Sequence, residues 1–257
     1  MSEAEFVYPN RTRAVSVTRG DCSLNCAHCS KHYLGGMCSL GELEDQSGFS
    51  SILASGGCNL EGEVPLLEHS RKLANLKEKY RIVAHTGLVP PRKAREVASI
   101  ADVISFDFPP STRAIREVFG ISKTQEDYLE SLSALSKHAR VVPHITIGLL
   151  GGKISGEKES LELISGLEVK TVVMNVLVPT PGTRFESTEP PGVDEVVSLL
   201  GHAKKKFDKV YLGCMRPGGE YRVKLDEQAI GIVDRIVMPA RGIGNADAKT
   251  FDECCAL

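Results

Sequence analysis

The stretch DCSLNCAHCSKHY, residues 21–33, holds three cysteines at an uneven spacing. Cys22 and Cys26 are separated by three residues, and Cys26 and Cys29 by two. Three thiolates in one loop suit an iron–sulfur cluster in which one iron lacks a protein ligand. A structural zinc site and buried structural cysteines are the alternatives, although structural zinc normally takes four ligands in paired short spacings. The spacing therefore favours a cluster with one open position.

The composition is that of a folded globular protein. The chain has 257 residues, of which 42% are hydrophobic and 25% charged, and its net charge is −2. This balance gives no reason to expect nucleic-acid binding. No apolar run approaches the length of a membrane span, and the first residues, MSEAEFVYPN, do not resemble a signal peptide. We therefore expect a cytoplasmic protein without a membrane partner, in which clustered cysteines bind metal or do redox chemistry.

Short apolar runs alternate with amphipathic segments along the chain, and this alternation predicts the fold. The predicted strands are Arg13 to Thr18, Ser51 to Ser55, Arg81 to Thr86, Val103 to Phe108, Val141 to Gly148, Thr171 to Val178, Lys209 to Cys214 and Arg235 to Pro239. The predicted helices are Val64 to Tyr80, Thr124 to His138, Glu157 to Leu167, Asp194 to Phe207 and Asp226 to Ile232. An α/β fold with a parallel sheet is the simplest packing of this order.

Eight such units predict a single (β/α)8 barrel domain of the TIM type over residues 1–257. An open (β/α)6 partial barrel with a C-terminal appendage is the alternative, because closure is not a local property of the sequence. The cluster-binding loop is predicted at residues 19–35 and a cysteine-containing tail at 240–257. Active sites of α/β barrels lie in the loops that follow the strands, which is where the unusual residues occur here.

The cysteine motif, with the aromatic His28 before its last cysteine, resembles the signature of the radical S-adenosylmethionine superfamily. Ser55-Gly56-Gly57 resembles the glycine motif that receives the methionine amino group in that superfamily, with a simple strand-ending turn as the alternative. The resemblance implies a 4Fe-4S cluster on Cys22, Cys26 and Cys29, and S-adenosylmethionine on the fourth iron. It also implies a ferredoxin-type reductant and cleavage of the cofactor to a 5′-deoxyadenosyl radical.

Further cofactor contacts are predicted at the ends of later strands. The run His144-Ile145-Thr146-Ile147-Gly148-Leu149 resembles the region that packs on adenine in this superfamily, but the acidic residue usual after that glycine is absent. Glu157 comes late and starts the next helix instead. Arg184 is a candidate partner for the methionine carboxylate, with solvent as the alternative. His85 and Asp107, like His144, are expected to bind ribose or substrate, or else to pack internally.

Five cysteines lie outside the motif. Cys38 reads as an isolated buried thiol. The others predict an auxiliary iron–sulfur site, with a redox pair or no shared site as alternatives; they are Cys58, Cys214, Cys254 and Cys255. Arg216, beside Cys214, is a candidate to bind an anionic substrate or cofactor group or to ligate that auxiliary cluster, and otherwise part of a surface turn.

Val178-Pro179-Thr180-Pro181-Gly182-Thr183 resembles a turn of biotin-synthase-like members, and longer segments resemble short archaeal-type homologues that form two-protein lipoyl synthases. This resemblance implies a sulfurtransferase that inserts sulfur into an unactivated C–H bond. Its partners would be an octanoyl-lysine carrier protein or peptide and a second radical S-adenosylmethionine protein. Two other classes stay open: a mutase or lyase without sulfur transfer, like methylornithine synthase, and a non-catalytic cluster carrier or zinc-binding module.

Overall fold

The structure, a computed structural model, describes residues 4–43, 48–243 and 249–257. Its centre is one sheet of parallel strands. The strands are β1 (Glu5–Val7), β2 (Thr12–Ser16), β3 (Cys38–Ser39), β4 (Ser51–Ser55), β5 (Arg81–His85), β6 (Val103–Asp107), β7 (Val141–Ile147), β8 (Thr171–Val176), β9 (Lys209–Leu212), β10 (Arg235–Val237) and β11 (Thr250–Phe251). All eight predicted strands are confirmed, and the short strands β1, β3 and β11 were not predicted.

Helices connect most of the strands. They are α1 (Ser70–Lys77), α2 (Ala94–Ser99), α3 (Thr112–Ala114), α4 (Gln125–Ser136), α5 (Glu157–Ser165), α6 (Val193–Lys204) and α7 (Gly219–Ala229). A π-helical turn continues α3 to Phe119. Helix α4 begins at a capping box, in which the Thr124 hydroxyl accepts from the Asp127 amide and the Asp127 carboxylate accepts from the Thr124 amide. In the described part of the chain, no helix is long and apolar enough to cross a membrane.

The sheet curls into a barrel-like shape because β1 and β2, each next to an edge strand, belong to one continuous segment. The strand order is β11-β1-β10-β9-β8-β7-β6-β5-β4-β2-β3. Strand β1 pairs with β10 and strand β2 with β4, yet only residues 8–11 separate β1 from β2. From Val7 to Thr12 the chain can span at most ~17 Å, so the two edges must approach each other. Among the described strands β1 and β2 do not pair, and the seam of the barrel lies between them.

Alternate residues of each strand face opposite layers, as the pleat requires. Ile52, Ile82 and Ile104 belong to the large core that also contains the apolar faces of the helices. Val83 and Val103 belong to a second, smaller cluster with residues of the C-terminal segment. The α/β alternation therefore produces an outer core under the helices and an inner core within the curl of the sheet.

The C-terminal segment, residues 249–257, lies across the amino ends of the strands. Strand β11 pairs with β1, and the following residues hydrogen-bond to groups at the starts of other strands. Ser50 donates to the Glu253 carboxylate, which also pairs with Arg81, and the Cys254 amide donates to the Thr12 hydroxyl. Arg140 and Arg235 donate to carbonyls of this segment at 2.9 and 3.0 Å. Of the predicted tail, residues 244–248 lie outside the described residues.

Helix α7 begins seven residues before the predicted Asp226, because the sequence CMRPGG reads as a loop and hides the start of the helix. Asp226 therefore lies inside helix α7, where it forms a fully buried ion pair with Arg216. Arg216 also donates to the carbonyls of Gly213, Val237 and Met238, so all five of its N–H groups have partners.

Arg216 was predicted as a residue of an auxiliary site. Its guanidinium joins the loop after β9 to α7 and β10 and has no N–H group left for a ligand. The role at an auxiliary site stays a prediction that these contacts do not support. The observed contacts give the residue a structural task.

Replacing Asp226 should destabilise the protein strongly. The Asp226→Ala change leaves the buried Arg216 cation without its counter-charge, so we expect a loss of about 3–5 kcal/mol in the free energy of unfolding. Urea titration of the variant and the parent protein measures this loss. The neighbouring exposed Glu227→Ala is the matched control and should stay within about 0.5 kcal/mol of the parent. Equal effects of the two changes would contradict the structural role of the ion pair.

Candidate metal and cofactor site

A cavity of about 160 Å³ lies at the carboxyl ends of β2, β4, β5 and β6. It is lined by the three motif cysteines and by other predicted site residues, namely His28, Gly56, Gly57, Cys58, His85 and Asp107. Its walls are Cys22, Leu24, Cys26, His28, Cys29, Lys31, Leu34, Gly56, Gly57, Cys58, Gly62, His85, Gly87, Asp107, Phe119 and Tyr128. Because parallel strands bring their carboxyl ends to one edge, loops distant in sequence meet here.

The cysteine loop is held against the turn that follows β4. The Ser23 amide donates to the Cys58 carbonyl at 2.8 Å, and the Cys58 amide donates to the Cys22 sulfur at 3.3 Å. The Gly57 amide donates to the Thr18 hydroxyl at 2.7 Å. A Cβ atom on Gly57 would lie 2.5 Å from the Cβ of Cys22 and closer still to a backbone oxygen, so only glycine fits this position. The glycine turn thus lets the two loops touch.

The motif thiols lie in surroundings that favour their neutral form when no metal is bound. Burial, followed by the nearby Cys29 and Cys22, raises the pKa of Cys26 to about 12. Burial also raises the pKa of Cys29. A metal or cluster must therefore displace protons from these sulfurs on binding. Within the described residues, no three ligand side chains already stand in a metal-binding arrangement.

The residues around the motif nevertheless fit an iron–sulfur cluster. An amide N–H directed at a cysteine sulfur, as from Cys58 to Cys22, is the kind of hydrogen bond that tunes a cluster. His28 has a buried Nδ1 atom without a hydrogen-bond partner among the described residues, and its ring packs on Phe119 with the centroids 5.8 Å apart. Burial lowers the pKa of His28 to about 4, so its ring is neutral. The set offers three soft ligands and an unused polar atom beside them.

Three adjacent strands end in a line of hydrogen-bonded side chains. Ser55 Oγ lies 3.1 Å from Nδ1 of His85, and Nε2 of His85 lies 3.0 Å from a carboxylate oxygen of Asp107. Burial by itself would lower the pKa of His85, but the charge and hydrogen bond of Asp107 raise it above its ordinary value. Burial by itself would raise the pKa of Asp107, but His85, with smaller effects of His144 and His28, lowers it to about 2. Asp107 is therefore an ionised acceptor at the cavity wall.

Sequence reasoning assigned these three residues separately and did not predict that they form one line. The sequence did contain a signal for this line, because each of the three residues ends its strand and the three strands are neighbours in the sheet. His144, predicted as a cofactor contact, lies 3.1 Å from Ser105 and 3.0 Å from the Val142 carbonyl. Burial lowers its pKa to about 4.

Two other predicted cofactor contacts lie away from the cavity wall. The Ile145 side chain is fully buried in the outer core, so it does not reach the cavity. Arg184 is exposed, donates to the Glu117 carbonyl at 3.0 Å, and is near enough to Cys26 to act on its charge.

Glu157 begins helix α5, and its buried carboxylate accepts from the Gly148 amide at 2.8 Å. It therefore fastens the end of β7 to that helix.

The remaining cysteines are divided between different places. Cys58 lines the cavity with the motif cysteines, and burial followed by Cys22 and Cys26 raises its pKa to about 12. Cys214 lines a separate, open pocket with Tyr33 and Thr180, whose hydroxyls are 2.8 Å apart. Cys254 and Cys255 belong to the segment across the amino ends of the strands. Cys38 is half-buried in β3. Cys214, Cys254 and Cys255 lie near enough to act on one another's charge, whereas Cys58 does not have them as neighbours. An auxiliary site shared by all four cysteines stays a prediction.

Comparison with known proteins shows a shared fold. No protein-family model and no curated protein matches the sequence. Methylornithine synthase (PylB) superposes with a TM-score of 0.64 at 13% identity, covering 96% of this chain and 79% of that one. Streptococcus suis SuiB, solved bound to S-adenosylmethionine, superposes with a TM-score of 0.55 at 11% identity, covering 82% of this chain and 51% of that one. The predicted α/β barrel class is thereby confirmed.

A methyl group at Gly57 should disturb the cavity. Gly57→Ala places a Cβ against Cys22, so the cysteine loop must move, and we expect a loss of about 1–3 kcal/mol in unfolding free energy together with weaker iron incorporation. Thermal unfolding and iron analysis after anaerobic reconstitution measure the two effects. Gly201→Ala, in helix α6 with open space around the new methyl group, is the control and should keep its iron. Normal iron content in Gly57→Ala would contradict the packing argument.

The pair of Asp107 and His85 should give the metal-free protein a plateau of stability. Because the pKa of His85 is raised, its contribution is complete below about pH 6.5 and is lost as pH rises through the folded value. Because the pKa of Asp107 is lowered, its contribution is present above about pH 4 and is lost as pH falls towards 2. The side chains are 31% and 51% exposed, so solvent screening holds the effect to about 1 kcal/mol.

Urea unfolding at a series of pH values tests this profile. Asp107→Asn should flatten the decline in unfolding free energy above pH 6.5, because His85 then loses its counter-charge. The exposed Asp208→Asn should retain the decline. An unchanged slope in Asp107→Asn would mean that the pair does not form in solution.

Proposed function

We propose that this protein is a radical S-adenosylmethionine enzyme that holds one 4Fe-4S cluster on Cys22, Cys26 and Cys29. The observation that carries this proposal is the cavity that three cysteines, the Gly56-Gly57 turn and Asp107 share at the carboxyl ends of the strands. The shared fold supports it, since one protein with that fold, SuiB, was solved with S-adenosylmethionine. The cysteine spacing supports it independently.

When bound, the cluster and S-adenosylmethionine would supply a 5′-deoxyadenosyl radical that abstracts hydrogen from substrate. The residues of the chain would bind and orient the cofactor and the substrate. Ionised Asp107, held by His85, accepts hydrogen bonds from hydroxyl or ammonium groups in the cavity. Neutral His28 offers its unpaired Nδ1 atom beside the motif. The hydrogen bond between Tyr33 and Thr180 ties the cysteine loop to the loop after β8.

The finer proposal for the reaction is sulfur insertion into an octanoyl-lysine carrier protein or peptide, with a second radical S-adenosylmethionine protein and a ferredoxin-type reductant as partners. Its support is the sequence resemblance to lipoyl and biotin synthases and the surplus of cysteines outside the motif. The thiols of Cys214 and Cys255 lie near enough to influence each other electrostatically. Such a reaction needs a sulfur donor, for which an auxiliary cluster is the candidate.

The second candidate is a rearrangement or cleavage of substrate without sulfur transfer. The observation that favours it is the division of the surplus cysteines, because Cys58 lies at one end of the sheet and Cys254 and Cys255 at the other. A reaction of this class needs only the cluster on the three motif cysteines. The fold shared with methylornithine synthase is compatible with it.

Anaerobic reconstitution followed by reaction tests the proposal. The protein is given iron, sulfide, dithionite and S-adenosylmethionine with an octanoyl-lysine peptide, and 5′-deoxyadenosine and peptide products are read by mass spectrometry. We expect 5′-deoxyadenosine from the parent protein, and at least a hundredfold less from Cys26→Ala, which loses a cluster ligand. Cys38→Ala lies outside the cavity and should retain the activity.

The iron content separates the two reaction classes. About eight irons per chain and a thiolated peptide would support sulfur insertion, whereas about four irons and 5′-deoxyadenosine without thiolation would support the second candidate. An intact cluster that never cleaves S-adenosylmethionine would contradict the enzyme proposal and favour a cluster carrier.

A further inference from the structure

A fourth cysteine shares the cavity with the three cysteines of the motif. Cys58 follows the glycine turn after β4, outside any strand or helix, and its side chain lines the same cavity as Cys22, Cys26 and Cys29. Its backbone is bound to the cysteine loop on both sides of its Cα atom: its amide donates to Cys22 Sγ, and its carbonyl accepts from the Ser23 amide. The thiol of Cys58 is therefore held beside the motif.

No other surplus cysteine in the described part of the chain has this position. Cys38 lies in β3 with its thiol directed at the Ser39 carbonyl, at 3.5 Å. Cys214 lies in the separate pocket, and Cys254 and Cys255 lie at the amino ends of the strands. The electrostatic neighbours of Cys58 are the three motif cysteines and Asp107. It belongs with the motif, and not with the other surplus thiols.

A 4Fe-4S cluster on three cysteines has one iron without a protein ligand, and thiolate is the ligand that such iron prefers in proteins. The Gly56-Gly57 turn carries Cys58 into the cavity where that iron would be bound. Rotation of the Cys58 side chain is enough to release an iron, so its backbone contacts with the cysteine loop can stay in place. The cavity thus contains a candidate fourth ligand that a competing ligand can displace.

We infer that Cys58 ligates the fourth iron of the cluster when no cofactor is bound, and that S-adenosylmethionine displaces it. This inference rests on the proposed function. The exchange breaks the bond between iron and the Cys58 sulfur and forms bonds from iron to the amino nitrogen and carboxylate oxygen of the cofactor. The released thiolate takes up the proton that the ammonium group of the cofactor loses when its nitrogen binds iron, and no electron is transferred. The resting cluster is consequently closed to small ligands and opens only to its cofactor.

Cyanide probes whether the fourth iron is closed. The parent protein, Cys58→Ala, Cys58→Ser and the control Cys38→Ala are reconstituted anaerobically, and each variant is checked for the same iron content and thermal unfolding as the parent. Electron paramagnetic resonance spectra of the dithionite-reduced clusters are then recorded with and without cyanide, in the absence of S-adenosylmethionine. We expect cyanide to change the spectrum of Cys58→Ala and to leave those of the parent and Cys38→Ala unchanged. Cys58→Ser, with a weaker oxygen ligand, should respond partly.

The affinity for S-adenosylmethionine gives a second measurement. Because the cofactor no longer has to displace a thiolate, Cys58→Ala should bind it about tenfold more tightly than the parent, as measured by equilibrium dialysis on the unreduced clusters. A parent spectrum as sensitive to cyanide as that of Cys58→Ala would overturn the inference. So would equal affinities of the two proteins for the cofactor. Either result would leave the proposed function intact, since that depends on the formation of 5′-deoxyadenosine by the parent.

Discussion

The contact on which the site depends is the packing of the cysteine loop against the turn after β4. The two loops approach so closely that a single methyl group on Gly57 would collide with Cys22. Hydrogen bonds between Ser23, Cys58 and Cys22 hold this contact and direct one N–H group at a motif sulfur. The position of the motif cysteines therefore depends on the lack of a Cβ atom at Gly57, in the turn after β4. One steric constraint, the close approach of Gly57 to Cys22, thus requires glycine at residue 57 and shapes the cavity around the cysteines.

The parallel sheet gives its two ends different tasks. The carboxyl ends carry the cysteine loop, the glycine turn and the line of Ser55, His85 and Asp107, and so form an open, polar cavity. The amino ends are covered by the C-terminal segment, which is fastened by arginines at the starts of strands. Because all the strands point the same way, the cavity lies at their carboxyl ends and the C-terminal segment can cover their amino ends.

Two ion pairs illustrate how the position of a charge decides its use. The pair of Arg216 and Asp226 is fully buried and uses every donor of the guanidinium, so it can bind nothing else and serves the fold. The pair of His85 and Asp107 lies at the cavity wall, and half of the Asp107 side chain is exposed. Its carboxylate keeps acceptor capacity for a ligand while the histidine fixes its orientation. A buried ion pair with all its hydrogen bonds satisfied indicates a structural role. A paired carboxylate at a cavity wall that can still accept hydrogen bonds indicates a role in binding.

Local patterns in the sequence determined the alternating strands and helices, because apolar periodicity reports directly which face of each element is buried. They also determined the three motif cysteines, whose spacing lies within one loop. The start of α7 could not be read locally, since Gly218 and Gly219 resemble a turn, and the seam between β1 and β2 depends on pairings across the whole chain.

Only the tertiary structure decided which distant residues meet. It joined Ser55, His85 and Asp107 into one line and paired Arg216 with Asp226. It also brought Cys58 to the motif while holding Cys254 and Cys255 at the opposite end. The physical reason is that residues on different strands become neighbours through the curl and register of the sheet, which no single segment of the sequence encodes.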